Sequence, residues 1–570
     1  MKPIAGRKLG VMDILDNPAR QRPPYSVIPI VLKPLRPLAA VALAGSVVSC
    51  GDDPVRPDAV TAVVSLASGA DTVLAGSSIA GVVQFPQAPS GGAEYLLVGQ
   101  FATANPTVSS SVRLGGAASV ATHVAPLTQL AAGGDPASRF HRELRVREAE
   151  FAVGAQRLPA SVRAAPRSGA AVPPTVGSTR TFRVCANLDC DSLVNVVATA
   201  QVVGTHLAIY VDNAAPANGF STADLQQLGN QFDADLYSIS VNAFGSESDV
   251  DANGVVVVLL TPRVNRLVTS PQCSTSFVTG YFYGADLAPG VRQNYNNGEV
   301  FYGMVPDPNG TVSCSYSVSF TKRILQTTFV HEFQHMISFN QHVLVRNSLT
   351  EVLWLNEGLS HLAEELAGLY YDSLGVDSNA TRFLIGNLYD AFVYLREPHR
   401  HALVTEEPPG SLQERGAAWL FTRFIVDQGS ATTTRQLVQT ALTGADNVEA
   451  ALGAGFENLL ARWAFALWVT DLPGFNAAPT RRYDFWRFRT TFASLNQQDP
   501  QDFPVPFPLT PASGQGSQAA VSATVTAGSG VYLRVTQAPG GPAFAMSFRN
   551  ASGAALPAGS GAQLAVIRIR

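Results

Sequence analysis

"TTFVHEFQHMISF", residues 327–339, carries two histidines four apart, with a glutamate directly after the first. Residues four apart on an α-helix lie on one face, about one turn from each other. His331 and His335 can therefore reach one ion together. Glu332 stands one position further round the helix. A carboxylate there points beside the ion without binding it, where a general base for water belongs. Leu325, Phe329, Phe333 and Met336 supply an apolar face that buries the helix and dries its surroundings. The plainer alternative is a buried helix that happens to carry two histidines. With nine histidines in 570 residues, a chance His-Glu-x-x-His is expected in fewer than about one such chain in a hundred.

The pattern needs a third ligand. A metzincin would place a glycine three residues and a histidine six residues beyond His335, but those positions hold Ser338 and Gln341. His342 lies about 10 Å up the helix axis from His335 and reads as a surface or supporting histidine. The better candidate is "EVLWLNEGLSHLAEELAGLYY", residues 351–371, a second long helix with Leu355, Leu359, Leu362 and Leu366 on its apolar side. Glu357 stands near its start. A carboxylate from a second helix packed on the first completes a two-histidine, one-glutamate zinc site with one position open to water.

"HEFQH" followed by "WLNEGLSHLAEE" resembles the gluzincin metallopeptidases, and within them is most similar to the hyicolysin-type peptidases. The resemblance covers about residues 205–430 and includes "DVDANG", "VTGYFYGADL" and "GAAWLFTRFIVDQGS". It implies one Zn²⁺ held by His331, His335 and Glu357, with Glu332 as base. The gap from His335 to Glu357 is longer than in the aminopeptidase branch, which points to an endopeptidase. In thermolysin-like members an aspartate four residues after the ligand glutamate orients a ligand histidine. Here that position is His361, and either His361 or Glu364 one turn on can take the role. Tyr389, Tyr394, His399 and His401 follow the two helices as candidate donors to a transition-state oxyanion, and their spacing selects none of them.

Working outward, "DVDANG" (residues 249–254) places Asp249, Asp251 and Asn253 at the first three ligand positions of an EF-hand loop, followed by its glycine. The twelfth position is Leu260 rather than glutamate, so this is not an EF-hand. The stretch fits a partial Ca²⁺ loop completed from elsewhere, and fits equally an Asx-rich turn that starts a strand.

Five cysteines divide four to one. Cys50 ends "PLAAVALAGSVVSC", a short apolar run behind Lys33 and Arg36 that reads as a secretory signal core too short to span a bilayer. Its "VVSC" ending resembles a bacterial lipobox, which implies a lipid on Cys50; an ordinary signal peptide cleaved nearby is the alternative. Residues 1–30 are unlike a signal n-region, which points to a start further downstream. The other four cysteines argue for two disulfides in an exported chain. Cys185–Cys190 with Cys273–Cys314 is the local pairing, and the two other pairings stay open. The spacings do not fit a zinc ribbon.

The chain is 46% hydrophobic and 14% charged, has 48 Gly and 37 Pro, and carries a net charge of -4. This suits loop-rich β structure around at least one filled core, and no basic block suggests nucleic acid. The expected fold is α+β and multidomain: a leader over 1–50, an N-terminal β domain over 51–200, a metallopeptidase domain over 201–500 and a small C-terminal β-sandwich over 505–570. Strands such as "AVTAVVSL" and "EYLLVGQ" mark the first β region, "FHRELRVREAEFA" (140–152) interrupts it as a helix, and a Pro- and Ala-rich linker covers 157–174. "STADLQQLGNQFDADLYSI" (221–239) reads as an amphipathic helix capped by Ser221 with Asp224, between two strands. The functional expectation is an exported zinc endopeptidase acting on proteins or peptides and touching the membrane only through its N-terminal lipid. The alternatives are a catalytically idle surface-binding lipoprotein and a zinc hydrolase of a non-peptide substrate.

Overall fold

In a computed structural model of the chain, the described residues are 59–116, 122–123, 136–159, 173–274, 276–405 and 411–570. The leader with Cys50 and most of the expected 157–174 linker lie outside them. The first strands are β1 (Val60–Val63), β2 (Asp71–Ala75), β3 (Val82–Phe85), β4 (Ala93–Phe101), β5 (Ser109–Gly115) and β6 (Thr122–His123). A 21-residue helix, α1 (Pro136–Gln156), follows. Its apolar stripe, with Phe140 and Leu144 fully buried, packs it into the larger core.

Next come β7 (Thr179–Cys185), β8 (Leu193–Val203) and β9 (Leu207–Asp212), an antiparallel run. The chain crosses over through α2 (Thr222–Gln231) and α3 (Tyr237–Phe244), joined by a π-helical turn over Phe232–Leu236. Ser221 caps α2 reciprocally with Asp224, as its sequence predicts. β10 (Val256–Leu260) returns parallel to β9. Its "VVVLL" is buried at every position, as a strand covered on both faces requires. β11 (Gly280–Phe282) and β12 (Val300–Gly303) complete a sheet ordered β11-β12-β10-β9-β8-β7. β11 is its edge strand and runs antiparallel to β12.

The helical part holds α4 (Val318–Phe339), α5 (Leu353–Ser373), α6 (Asp377–Arg396), α7 (Leu412–Gln428), α8 (Phe456–Val469) and α9 (Phe488–Gln498). The chain ends in β13 (Ala512–Gln515), β14 (Ala520–Thr526), β15 (Gly530–Gln537), β16 (Phe544–Asn550) and β17 (Ala562–Arg568).

These last strands do not form a sheet of their own. β5 lies between β16 and β14, and β4 lies between β15 and β17. Ser111 and Thr524, 413 residues apart in sequence, have hydroxyls 3.0 Å apart. Two expected β domains are thus replaced by one double sheet made by both ends of the chain. Strand periodicity reports which face of a strand is buried, not which strand pairs with it. Phe85, Leu97, Leu114, Val525, Leu533, Phe548 and Leu564 fill the space between its layers. The double sheet docks on the helices, with Tyr532 donating to the Ala464 carbonyl at 3.1 Å and Gln563 to that of Glu457 at 3.0 Å. A second boundary also moves. β7, β8 and α1 belong to the sheet and core that carry the helices, not to an N-terminal β domain ending at 200.

Both local disulfides are present. Cys185–Cys190 and Cys273–Cys314 have Cα atoms 4.8 and 6.4 Å apart.

Removing residues 512–570 strips β4 and β5 of the partners on both their sides. A chain ending at residue 511 is expected to lose the protease resistance of residues 59–116 and much of its β circular-dichroism signal. Retention of both would overturn the interlocked sheet.

Candidate metal centre

α4 begins at Ser317, whose hydroxyl accepts from the Phe320 amide. Phe329 and Phe333 bind it to the crossover, stacking on Phe232 and Tyr237 respectively. α5 lies against α4, and its "WLNEG" turn faces the two histidines. His331 Nε2 is 3.2 Å from His335 Nε2 and 3.4 Å from Glu357 Oε2, and His335 Nε2 is 3.5 Å from Glu357 Oε1. Three donors held 2.0–2.1 Å from one ion at tetrahedral angles lie about 3.3 Å apart. The three residues fit zinc by donor type, and each imidazole faces its own oxygen of Glu357 at close to this spacing.

The other ring nitrogens are also held. His331 Nδ1 is 2.7 Å from Glu364 Oε1, and His335 Nδ1 is 3.0 Å from Asn356 Oδ1. Such partners fix the ring so that Nε2 faces inward as a lone-pair donor. Glu364 is braced in turn by His361, whose Nδ1 is 3.2 Å from the same oxygen and 2.8 Å from Asn387 Oδ1. The aspartate of the thermolysin pattern is thus absent, and Glu364 stands beside His331 instead.

Electrostatics point the same way. Burial opposes a charge on His331, but Glu357 and Glu364 outweigh it and push its pKa up to about 10. Burial alone would raise Glu357, yet His331 and His335 hold it well below the usual carboxylate range. His335 is pushed well below the usual imidazole value by burial and by Arg145. The cluster demands one positive charge among its carboxylates. A proton on His331 supplies it, and a cation on the inward nitrogens would supply it equally.

Glu332 is buried beside this cluster. Its Oε2 accepts from the Phe282 amide at 2.9 Å, so edge strand β11 holds it. Its Oε1 faces His141 Nδ1 at 3.8 Å. Arg145 lies 3.7 Å from Oε2, forms a 3.0 Å ion pair with Glu148, and donates to the Phe282 carbonyl at 2.9 Å. Glu148 accepts from the Gly284 amide at 2.6 Å. Burial raises the Glu332 carboxyl, with Arg145 and His331 pulling the other way. Burial and the Arg415 and Arg145 guanidiniums hold His141 neutral, at about 3.

His141, Arg145 and Glu148 all come from α1, which the sequence places far from the motif. One signal was available. Phe140, Leu144 and Glu148 share a four-residue spacing, so Glu148 sits within the apolar stripe, and buried charges need partners. Asn356 was also missed, although it adjoins Glu357.

Other expected residues fall elsewhere. His342 is not on the surface: α4 continues as a π-helical turn over Asn340–Val345, which carries this ring into full burial 3.9 Å from Glu351. Tyr394 is buried against Trp463, Tyr389 packs on Phe503, and His401 faces Glu414 at 3.7 Å. The His399 carbonyl accepts from Ser529 of the double sheet. In the DVDANG turn, Asp249 and Asp251 gather with Glu299, while the Asn253 amide donates to Asp251 Oδ2 at 2.9 Å.

No protein-family model matches this chain. Neutral metalloprotease ShpI of Staphylococcus hyicus is 27% identical to it over 150 residues, which are 26% of this chain and 32% of that protein. The chain thus resembles a metalloprotease distantly, and the match spans less than a third of that relative's length.

Gly358, next to Glu357, marks the closest approach of α5 to α7. A Cβ there would stand 2.7 Å from the Ala418 carbonyl and collide with the Thr422 hydroxyl. Gly358→Ala is expected to lower stability by about 1–3 kcal/mol and to weaken metal binding by shifting Glu357. Differential scanning calorimetry and metal titration check both effects.

Proposed function

We propose that this chain is a zinc-dependent endopeptidase of gluzincin type. His331, His335 and Glu357 hold one zinc, and Glu332 is the general base. The observation that carries this reading is the 3.2 Å approach of the two inward Nε2 atoms, each 3.4 to 3.5 Å from one of the two oxygens of Glu357, with the Glu332 carboxylate buried beside them. The distant likeness to a metalloprotease supports it. Zinc supplies Lewis acidity, which makes water acidic near neutral pH and polarises a carbonyl.

The chain's own residues do the rest. With Oε2 committed to the Phe282 amide, Glu332 takes the proton of the attacking water at Oε1. It later returns that proton to the leaving amine. Burial raises this carboxyl, which strengthens it as a base, and Arg145 favours its ionised form. Glu364 and Asn356 position the two imidazoles, and His361 positions Glu364. Protein or peptide chains outside the cytoplasm are the substrates. Two disulfides support export, and lipidation of Cys50 would leave the enzyme at a membrane surface. Among the described residues no helix is long and apolar enough to cross a membrane.

The deciding experiment compares residues 51–570 with their Glu332→Gln variant on a denatured, dye-quenched protein substrate, with zinc counted in both. One zinc per chain in both and a loss of cleavage of at least about a hundredfold in the variant are expected. Equal cleavage by both would remove Glu332 from the reaction. Zinc in neither would overturn the site.

Zinc affinity should also depend on pH. Metal binding needs neutral His331, whose metal-free pKa is about 10, so one proton leaves as zinc enters. Apparent affinity is therefore expected to rise about tenfold per pH unit from 6 to 8, measured by chelator competition.

A further inference from the structure

We propose that Asp249, Asp251 and Glu299 form a Ca²⁺ site at the N-terminal ends of β10 and β12. Each of the three offers one carboxylate oxygen, and these oxygens lie within 4.8 Å of one another. Glu299 is only 1% exposed. Its Oε1 accepts from the Ser248 hydroxyl at 2.5 Å and the Val250 amide at 3.0 Å. Its Oε2 is buried and has no hydrogen-bond partner. Leaving such an oxygen unsatisfied costs about 1–3 kcal/mol, more when it is charged.

The surrounding cations do not remove that cost. Arg180 lies 3.5 Å from Asp251 Oδ2 and gives its closest hydrogen bond, 2.7 Å, to the Asn296 carbonyl. Arg292 acts on Glu299 through space. Neither makes a hydrogen bond to Glu299 Oε2, which is left for a cation.

The donor set selects the ion. It is all oxygen, with three carboxylates and neither imidazole nor thiolate. That suits a hard cation with flexible coordination. The spacing Asp249-x-Asp251-x-Asn253-Gly254 follows the first half of an EF-hand loop, and Gly254 takes the positive φ of +76°. An EF-hand then closes with a glutamate at its twelfth position. Here that position lies inside β10, and Glu299, from just before β12, brings the closing carboxylate from a neighbouring strand. Bound calcium would clamp the starts of two adjacent parallel strands. β12 also pairs with β11, whose Phe282 amide holds Glu332. The clamp therefore stiffens the sheet behind the metal centre without touching it.

The test uses zinc-loaded Glu332→Gln protein, which excludes self-digestion, titrated with CaCl₂ by calorimetry and melted with and without the ion. One Ca²⁺ per chain with a dissociation constant of about 10⁻⁴ to 10⁻³ M is expected. At about 10 mM Ca²⁺ the melting temperature should rise by about 1–3 °C, with a smaller rise for Mg²⁺. Adding Glu299→Gln or Asp249→Asn should abolish the calcium response while the zinc count stays at one. The absence of any calcium response in the parent, or its survival in either variant, would overturn the proposal. Should Glu299→Gln fail to fold, Asp249→Asn and the parent titration decide the matter.

Discussion

Two imidazoles and a carboxylate, largely buried, meet between α4 and α5, and this contact constrains the rest of the molecule. Ionised groups in a poorly polarisable interior are costly unless each has a partner at hydrogen-bond distance. The protein meets that demand outward from the centre. Glu364 and Asn356 hold the rings, His361 holds Glu364, and Asn387 holds His361. Moving α5 by even a fraction of a turn would strand several buried charges at once.

The opposite side of α5 explains why it does not move. Glu365 is fully buried and accepts the indole N–H groups of Trp419 and Trp486, each at 2.8 Å, with Arg423 3.5 Å away. Glu364 and Glu365 are consecutive, so they face different sides of the helix, one toward the histidines and one toward α7. Gly358 lets the two helices close together. The same residue type serves opposite ends: Glu364, toward the centre, holds an imidazole, and Glu365, turned away, locks the helix to its support.

Glu332 is held by a different part of the chain. Phe282 on the edge strand fixes Glu332 through its amide, and Arg145 on α1 links that strand's carbonyl to both Glu332 and Glu148. A helix that reads as an interruption in a β region is thus the far wall of the site. Its charged residues have partners only once sheet and helices are packed.

The sequence by itself determined the two helices and the residue types that meet between them. A 3.6-residue apolar period marks α4 and α5, four-residue spacing puts His331 and His335 on one face, and the WLNEG turn singles out Glu357. These are local properties, set by geometry within a few residues. Tertiary structure alone decided which distant groups meet. It paired strands from residues 93–115 with strands from 520–568, brought α1 against Glu332, buried His342 and placed Glu299 beside the DVDANG turn. No periodicity encodes such meetings. Each is the outcome of closing a long loop where apolar burial and the pairing of buried charge outweigh the entropy lost.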